Sequence, residues 1–217
     1  MAFTSYAQNF EDVILWHALE FVPNGYYVDV GAGHPEYLSV TKAFYDRGWS
    51  GINIEPQAEM IALLREQRPR DINLHTTAGP TIGSALFYNF DKGVGVTSTK
   101  LAVRKYFEDR GHSGHVAELG QTTLNHVLET YAPKQPIHFL KIDVEGYEAE
   151  VLEGLDLKRY RPWIVVAEAV LYWTRVDHEW NHHLLDNHYQ YAYFDGQNTY
   201  YIAVEAAKGL RSRLGIK

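Results

Sequence analysis

Two apolar spacings alternate along the 217-residue chain. Phe10, Val13, Ile14, Leu15, Ala18 and Leu19 recur at helical intervals and predict an amphipathic helix over 9–20, within an N-terminal helical unit of residues 1–22. Pro23-Asn24-Gly25 then breaks the chain. "YYVDV" (26–30), "SGINIE" (50–55) and "INLHTTA" (72–78) predict strands, with helices over about 37–47 and 56–68 between them. "SALFYNF" (84–90) is also extended. From Asp91 to His115 the chain is glycine-rich, charged and irregular, with one helix around 100–109. Such a stretch inside a compact domain is usually functional or mobile, and 91–115 is expected to act as a lid. Beyond it come a helix over 122–132, the strand "PIHFLKIDV" (136–144), a short helix at 147–153 and the strand "PWIVVAEAV" (162–170). A helix in "HEWNHHLLDN" (178–187) precedes two strands that flank Asp195-Gly196-Gln197-Asn198, a hairpin signal in residues 189–205. The basic tail "KGLRSRLGIK" (208–217) is expected to fray.

Strands alternating with helices call for a mainly parallel sheet covered on both faces, in one domain over 1–217. The terminal hairpin adds an antiparallel strand. With no cysteine there is neither a disulfide framework nor a thiolate site. A formal charge of −7 argues against a nucleic-acid partner, because phosphate contacts need a basic face. Glu11 and Asp12 interrupt the N-terminal apolar run, which has no basic segment before it, so neither a signal peptide nor a membrane span is expected. The reading is of a cytoplasmic domain, for which a homodimer is compatible with the sequence.

In open α/β sheets, ligands bind outside the carboxyl ends of the strands at a topological switch point. The acids that end successive strands should gather on that rim: Asp29 with Gly31, Glu55, Asp143 with Glu145, and Glu168. The turn Gly31-Ala32-Gly33 supplies two glycines of a nucleotide fingerprint, but Glu36 occupies the place of the third. Carboxylates on both sides of the turn work against a pyrophosphate and favour a cationic ligand. Glu55, ending the second strand, stands where an acid accepts both hydroxyls of a ribose. Together these features point to S-adenosylmethionine, with Gly31→Val expected to weaken its binding without unfolding the domain.

"SYAQNFEDVIL", "YYVDVGAGHPEYLSVTKAFYDRGWSGINIEP" and "IHFLKIDVEGYEAEVLEGL" resemble the FkbM-like methyltransferases, over about residues 5–170. The most specific piece is "KIDVEGYE"; His34-Pro35 departs modestly from the family pattern. The resemblance implies a Rossmann-like class I fold, a seven-stranded mainly parallel sheet with a terminal antiparallel strand, and methyl transfer from S-adenosylmethionine to a sugar hydroxyl. It implies that Gly31, Ala32 and Gly33 pass under the methionine part, that Glu55 holds the ribose, and that Gln8 and Ser39 meet the carboxylate. Thr77 and Ala78 are placed for the adenine or simply for strand packing.

Related O-methyltransferases bind a divalent cation with acids at the ends of the fourth and fifth strands, here Asp143 and Glu168. Oxygen ligands would select magnesium or manganese, although Ala169 stands where metal-dependent relatives carry a second acid or amide. Glu145 is the candidate general base, with Asp143 sharing that task in the absence of a metal. Glu148 and Glu150 read as solvated helix caps. His112 and His115 in the irregular stretch, and Trp173 beyond the fifth strand, are candidate contacts for a small-molecule or oligosaccharide acceptor. His178, His182 and His183 lack a metalloprotease arrangement and read as a hydrated helix face. A non-sugar acceptor (polyphenol, macrolide or lipid), a non-catalytic nucleotide-binding domain and a dehydrogenase are the competing readings.

Overall fold

Strand β1 (Tyr26–Val30) is buried along its whole length, and the rest of the molecule is arranged around it in a computed structural model that describes residues 3–90, 97–131, 135–172 and 174–213. Before it, α1 (Glu11–Leu19) packs Leu15, Ala18 and Leu19 against the sheet. After it come α2 (Lys42–Tyr45), β2 (Ser50–Glu55), α3 (Ala58–Gln67) and β3 (Ile72–His75). The chain then makes an excursion through β4 (Thr77–Ala78), β5 (Gly83–Phe90), β6 (Thr97–Ser98), α4 (Leu101–Glu108) and β7 (Gly114–Thr122). It returns through α5 (Leu124–Tyr131), β8 (Phe139–Ile142), α6 (Glu148–Glu153) and β9 (Ile164–Glu168). The short pair β10 (Val170–Leu171) and β11 (Thr174–Arg175) leads to α7 (Asn181–Leu185), β12 (Tyr189–Phe194), β13 (Asn198–Ala203) and α8 (Val204–Leu210).

Seven strands form the main sheet in the order β12-β13-β9-β8-β1-β2-β3. All neighbours are parallel except β13, which runs antiparallel to both β9 and β12. From β1 the chain moves outward to β3, and from β8 it moves outward the other way, so the switch point lies between β1 and β8. Period-two alternation sends successive side chains to opposite faces. Tyr26, Val28, Val30, Leu140 and Ile142 meet α5, α6 and α7 on one face. Tyr27 and Phe139 meet α1, α2 and α8 on the other. The mixed α/β class and the antiparallel strand match the sequence reading.

Several local expectations change. Phe10, just before α1, and Val13 within it are exposed, while Glu11 and Asp12 are buried. Those acids hold the chain before the helix: Asp12 accepts from Ser5 Oγ and the Tyr6 N–H, each at 2.7 Å, and Glu11 accepts from the Asn9 N–H at 2.8 Å. The helix expected over 37–47 shrinks to the four residues of α2, because residues 35–41 are pinned as a loop by a buried arginine described below. The strand expected over 72–78 breaks at Thr76, with β3 in the main sheet and β4 in a second one. That second, four-stranded sheet has the order β4-β7-β5-β6. Its strand β7 overlaps the stretch expected to be irregular; residues 91–96 lie outside the described residues. The tail is not simply frayed: α8 buries Ala207 and Leu210, while 214–217 lie outside the described residues.

Candidate active site

Gly31 and Gly33 both have positive φ, at 75° and 61°. At Gly31 the need is steric as well, since a Cβ there would stand 1.8 Å from the Asp143 carbonyl oxygen. β1 and β8 approach so closely at the switch point that only glycine fits. The Gly33 N–H donates to Glu55 Oε2 at 2.7 Å, and the Gln57 N–H donates to Glu55 Oε1 at 2.7 Å. Burial pushes the Glu55 carboxyl up to about 7 despite these two N–H bonds.

The loop after the turn is held by Arg68, which is only 1% exposed. Its guanidinium donates to Thr41 Oγ1 and Ser39 Oγ, each at 2.6 Å, and to the Pro35 carbonyl. Ser39 is therefore turned inward and buried, away from the cavity, so it does not stand where a cofactor carboxylate contact was expected. Asp29 is likewise beneath the turn rather than on its surface. It is 1% exposed, accepts from Thr41 Oγ1 at 3.0 Å and faces the Lys141 ammonium.

Above the turn lies a cavity of about 420 Å³, within the ~300–1,000 Å³ usual for small-molecule sites. Gln8, Gly31, Ala32, Gly33 and Glu55 line it together with Thr77, Ala78, Asp143 and Glu145. Gln8 is carried there by the segment that Asp12 and Glu11 hold. Thr77 also donates to the Gly120 carbonyl at 3.2 Å, a strand-packing contact.

Asp143, Glu145 and Glu168 each place a carboxylate oxygen within 4.8 Å of the others. The route to this cluster differs from simple strand alternation. β8 ends at Ile142, and Glu145 and Gly146 follow in a left-handed turn with φ 56° and 92°. Glu148 fixes that turn, accepting from the Val144 N–H at 3.1 Å and the Gly146 N–H at 3.2 Å. It is buried, not a solvated cap, and Glu150 is half-buried. Burial, and then the charge of Asp143, raise the pKa of both Glu145 and Glu168 well above the usual carboxylate range. Three crowded carboxylates favour protons or a cation, and their hard oxygens could hold a divalent ion.

His112 and His115 are exposed and do not line the cavity. Trp173 lies outside the described residues. Sequence reasoning missed Lys141, Ser98 and Thr99, all on the cavity wall. Ser98 Oγ donates to the Glu145 carbonyl at 2.9 Å, joining the excursion to the acidic turn. The signal for Lys141 was present: a lysine inside the apolar run "HFLKI" must be paired if that strand is buried.

Comparison with protein families matches the methyltransferase FkbM domain over residues 29–193. The chain belongs to the FkbM methyltransferase family. Comparison with curated proteins finds no match. The FkbM match begins on β1 and ends in β12, so it contains the glycine turn, Glu55 and all three clustered acids. Among the described residues no helix is long and apolar enough to cross a membrane.

Proposed function

We propose that this FkbM methyltransferase transfers a methyl group from S-adenosylmethionine to a hydroxyl of a sugar, free or within a glycan precursor or glycosylated metabolite. The observation that carries the reading is one cavity with the glycine turn and Glu55 at one part of its wall and Asp143 and Glu145 at another. The donor set suits the cofactor. At Gly33 a Cβ would meet nothing within 4 Å, so a ligand can lie against backbone there, and Glu55, which when ionised has about four lone-pair sites, retains acceptor capacity for ribose hydroxyls beyond its two N–H bonds. When bound, S-adenosylmethionine supplies a methyl group activated on a cationic sulfur, which a carboxylate-rich wall tolerates and a pyrophosphate site would not.

Gln8 and the Gly31–Gly33 turn bind the amino-acid end, Glu55 the ribose, and Thr77 and Ala78 flank the base. Glu145 receives the proton of the attacking hydroxyl. Asp143 and Glu168 would hold a magnesium or manganese ion, which would supply Lewis-acid chemistry that lowers the pKa of the acceptor hydroxyl. Residues 97–115 serve as a cover, anchored by the Ser98 bond to the acidic turn.

Calorimetry with S-adenosylmethionine, S-adenosylhomocysteine and NAD tests the cofactor: tight binding of NAD alone refutes the reading. Turnover on a panel of methyl glycosides, polyphenols, macrolides and lipid headgroups tests the acceptor, and a preference outside the glycosides moves the substrate class. Loss of turnover in chelator, restored by magnesium or manganese, is the expected metal result.

A further inference from the structure

Lys141 occupies the middle of β8, in register with Asp29 of β1, and its side chain is 10% exposed. Its Nζ donates to the Gly31 carbonyl at 2.7 Å and stands 3.3 Å from Asp29 Oδ1 and 3.5 Å from Asp143 Oδ2. Burial is the largest influence on this ammonium and works against it, but Asp29 and Asp143 outweigh burial and keep its pKa above the usual value. Behind Asp29 the polar contacts continue through Thr41 to Arg68, which fixes the loop after the glycine turn.

A lysine present only to neutralise Asp29 needs no contact with the cavity. Lys141 lines the cavity and touches one group from each half of the proposed site: the Gly31 carbonyl on the donor side and Asp143 on the acid side. An ion pair of a buried ammonium is weakly screened and geometrically stiff, and no other described side chain makes both contacts.

We propose that Lys141 is a positioning residue for methyl transfer, fixing the Asp143 carboxylate relative to the glycine turn so that donor and acceptor are held at reacting distance. The inference rests on the function proposed above. Removing Lys141 alone strands the buried Asp29 charge, so Lys141→Met is expected to melt at lower temperature and by itself cannot separate folding from positioning. The pair Asp29→Asn with Lys141→Met removes both charges together, and the amide retains an acceptor for Thr41.

In that double variant the melting temperature is expected to recover and S-adenosylhomocysteine to bind, while turnover on the best methyl glycoside of the panel stays ~10²-fold low with acceptor KM little changed. A displacement of ~1 Å at a reacting centre has a cost of that size. Recovery of turnover along with the melting temperature would show a charge-balancing role and overturn the proposal. A wild-type protein that binds no S-adenosylhomocysteine overturns the functional reading first, and this inference with it.

Discussion

The rim of the main sheet and the excursion between β4 and β7 line the same cavity but are built in opposite ways. β1, β8 and β9 are buried at every position, whereas β7 is exposed over most of its length. On the rim, neighbouring strands and both helical layers restrict each side chain, so a carboxylate at a strand end has few places to go. On the excursion the polar face meets water, and little restricts which residue stands where. The clustered acids sit on the constrained region, and under the function proposed above this would keep reacting groups fixed while the permissive excursion could vary with the acceptor.

The comparison is tested most severely with matched glycine substitutions. Gly31→Val drives a Cβ into the Asp143 carbonyl at a position with φ 75°, and is expected to cost at least about 3 kcal/mol from strain and overpacking. The loss should appear in urea unfolding as well as in cofactor affinity, which corrects the expectation of weakened binding in a folded domain. Gly83→Val in β5 meets nothing within 4 Å and should stay within about 0.5 kcal/mol of wild type. Equal effects would show that the two regions are equally constrained.

The next contrast is in turnover. Glu145→Gln is expected to lower the rate by ~10²–10⁴ if it is the general base, with S-adenosylhomocysteine still bound in calorimetry. Asp143→Ala and Glu168→Ala should abolish rescue by magnesium after chelation. His112→Ala and His115→Ala, on exposed positions off the cavity, should leave the rate within a few-fold. A large loss at either histidine would bring the excursion into the chemistry.

Legibility followed the same division. β1 and β2, and the run "IVVAE" of β9, could be read because a strand buried on both faces is mostly apolar, with an acid at or near its carboxyl end. Glu55 and Glu168, which end β2 and β9, and Asp143, which follows β8, could be singled out as candidates for that reason. β7, "GHVAELGQT", shows no apolar alternation because it is solvated, so nothing in its pattern separates strand from loop. Ser39 and Asp29 were misplaced because Arg68 was not foreseen as a buried residue: its carbonyl and hydroxyl partners lie 27 to 33 residues away in sequence, and no local rule reports such a pairing. The turn that aims Glu145 depends on Glu148, whose burial a helix-cap reading hid.

A smaller effect concerns pH. Burial holds the Glu55 carboxyl at about 7 in the folded state, whereas in the unfolded chain it releases its proton near the ordinary glutamate value of 4.5. Between those values the folded state binds more protons, so stability contributed by this group falls as pH rises and the loss is complete above about 7. At 1.36 kcal/mol per unit the whole effect is about 3 kcal/mol before opposing groups are counted. Glu55→Gln should flatten the decline measured by urea unfolding between pH 5 and 8, each value on the order of the window above. An unchanged slope would remove Glu55 as its source. Added S-adenosylmethionine should oppose the decline in wild type, because a ligand that binds only the folded state stabilises it by mass action.

The smallest expected effect lies at the seam between the two regions. Ser98 Oγ donates to the Glu145 carbonyl at 2.9 Å and accepts from the Lys100 N–H at 3.0 Å. Ser98→Ala removes both bonds at a site 2% exposed, at a cost of about 1 kcal/mol. Because the rim is held by its own sheet bonds and by Glu148, the loss should be local. Hydrogen exchange should quicken across β6, α4 and β5 and stay unchanged in β1 and β8, since sub-global openings follow cooperative units. If β8 amides lose protection equally, the cover and the rim open together and form one unit. If only the excursion responds, it opens as a unit of its own, separate from the acids on the rim.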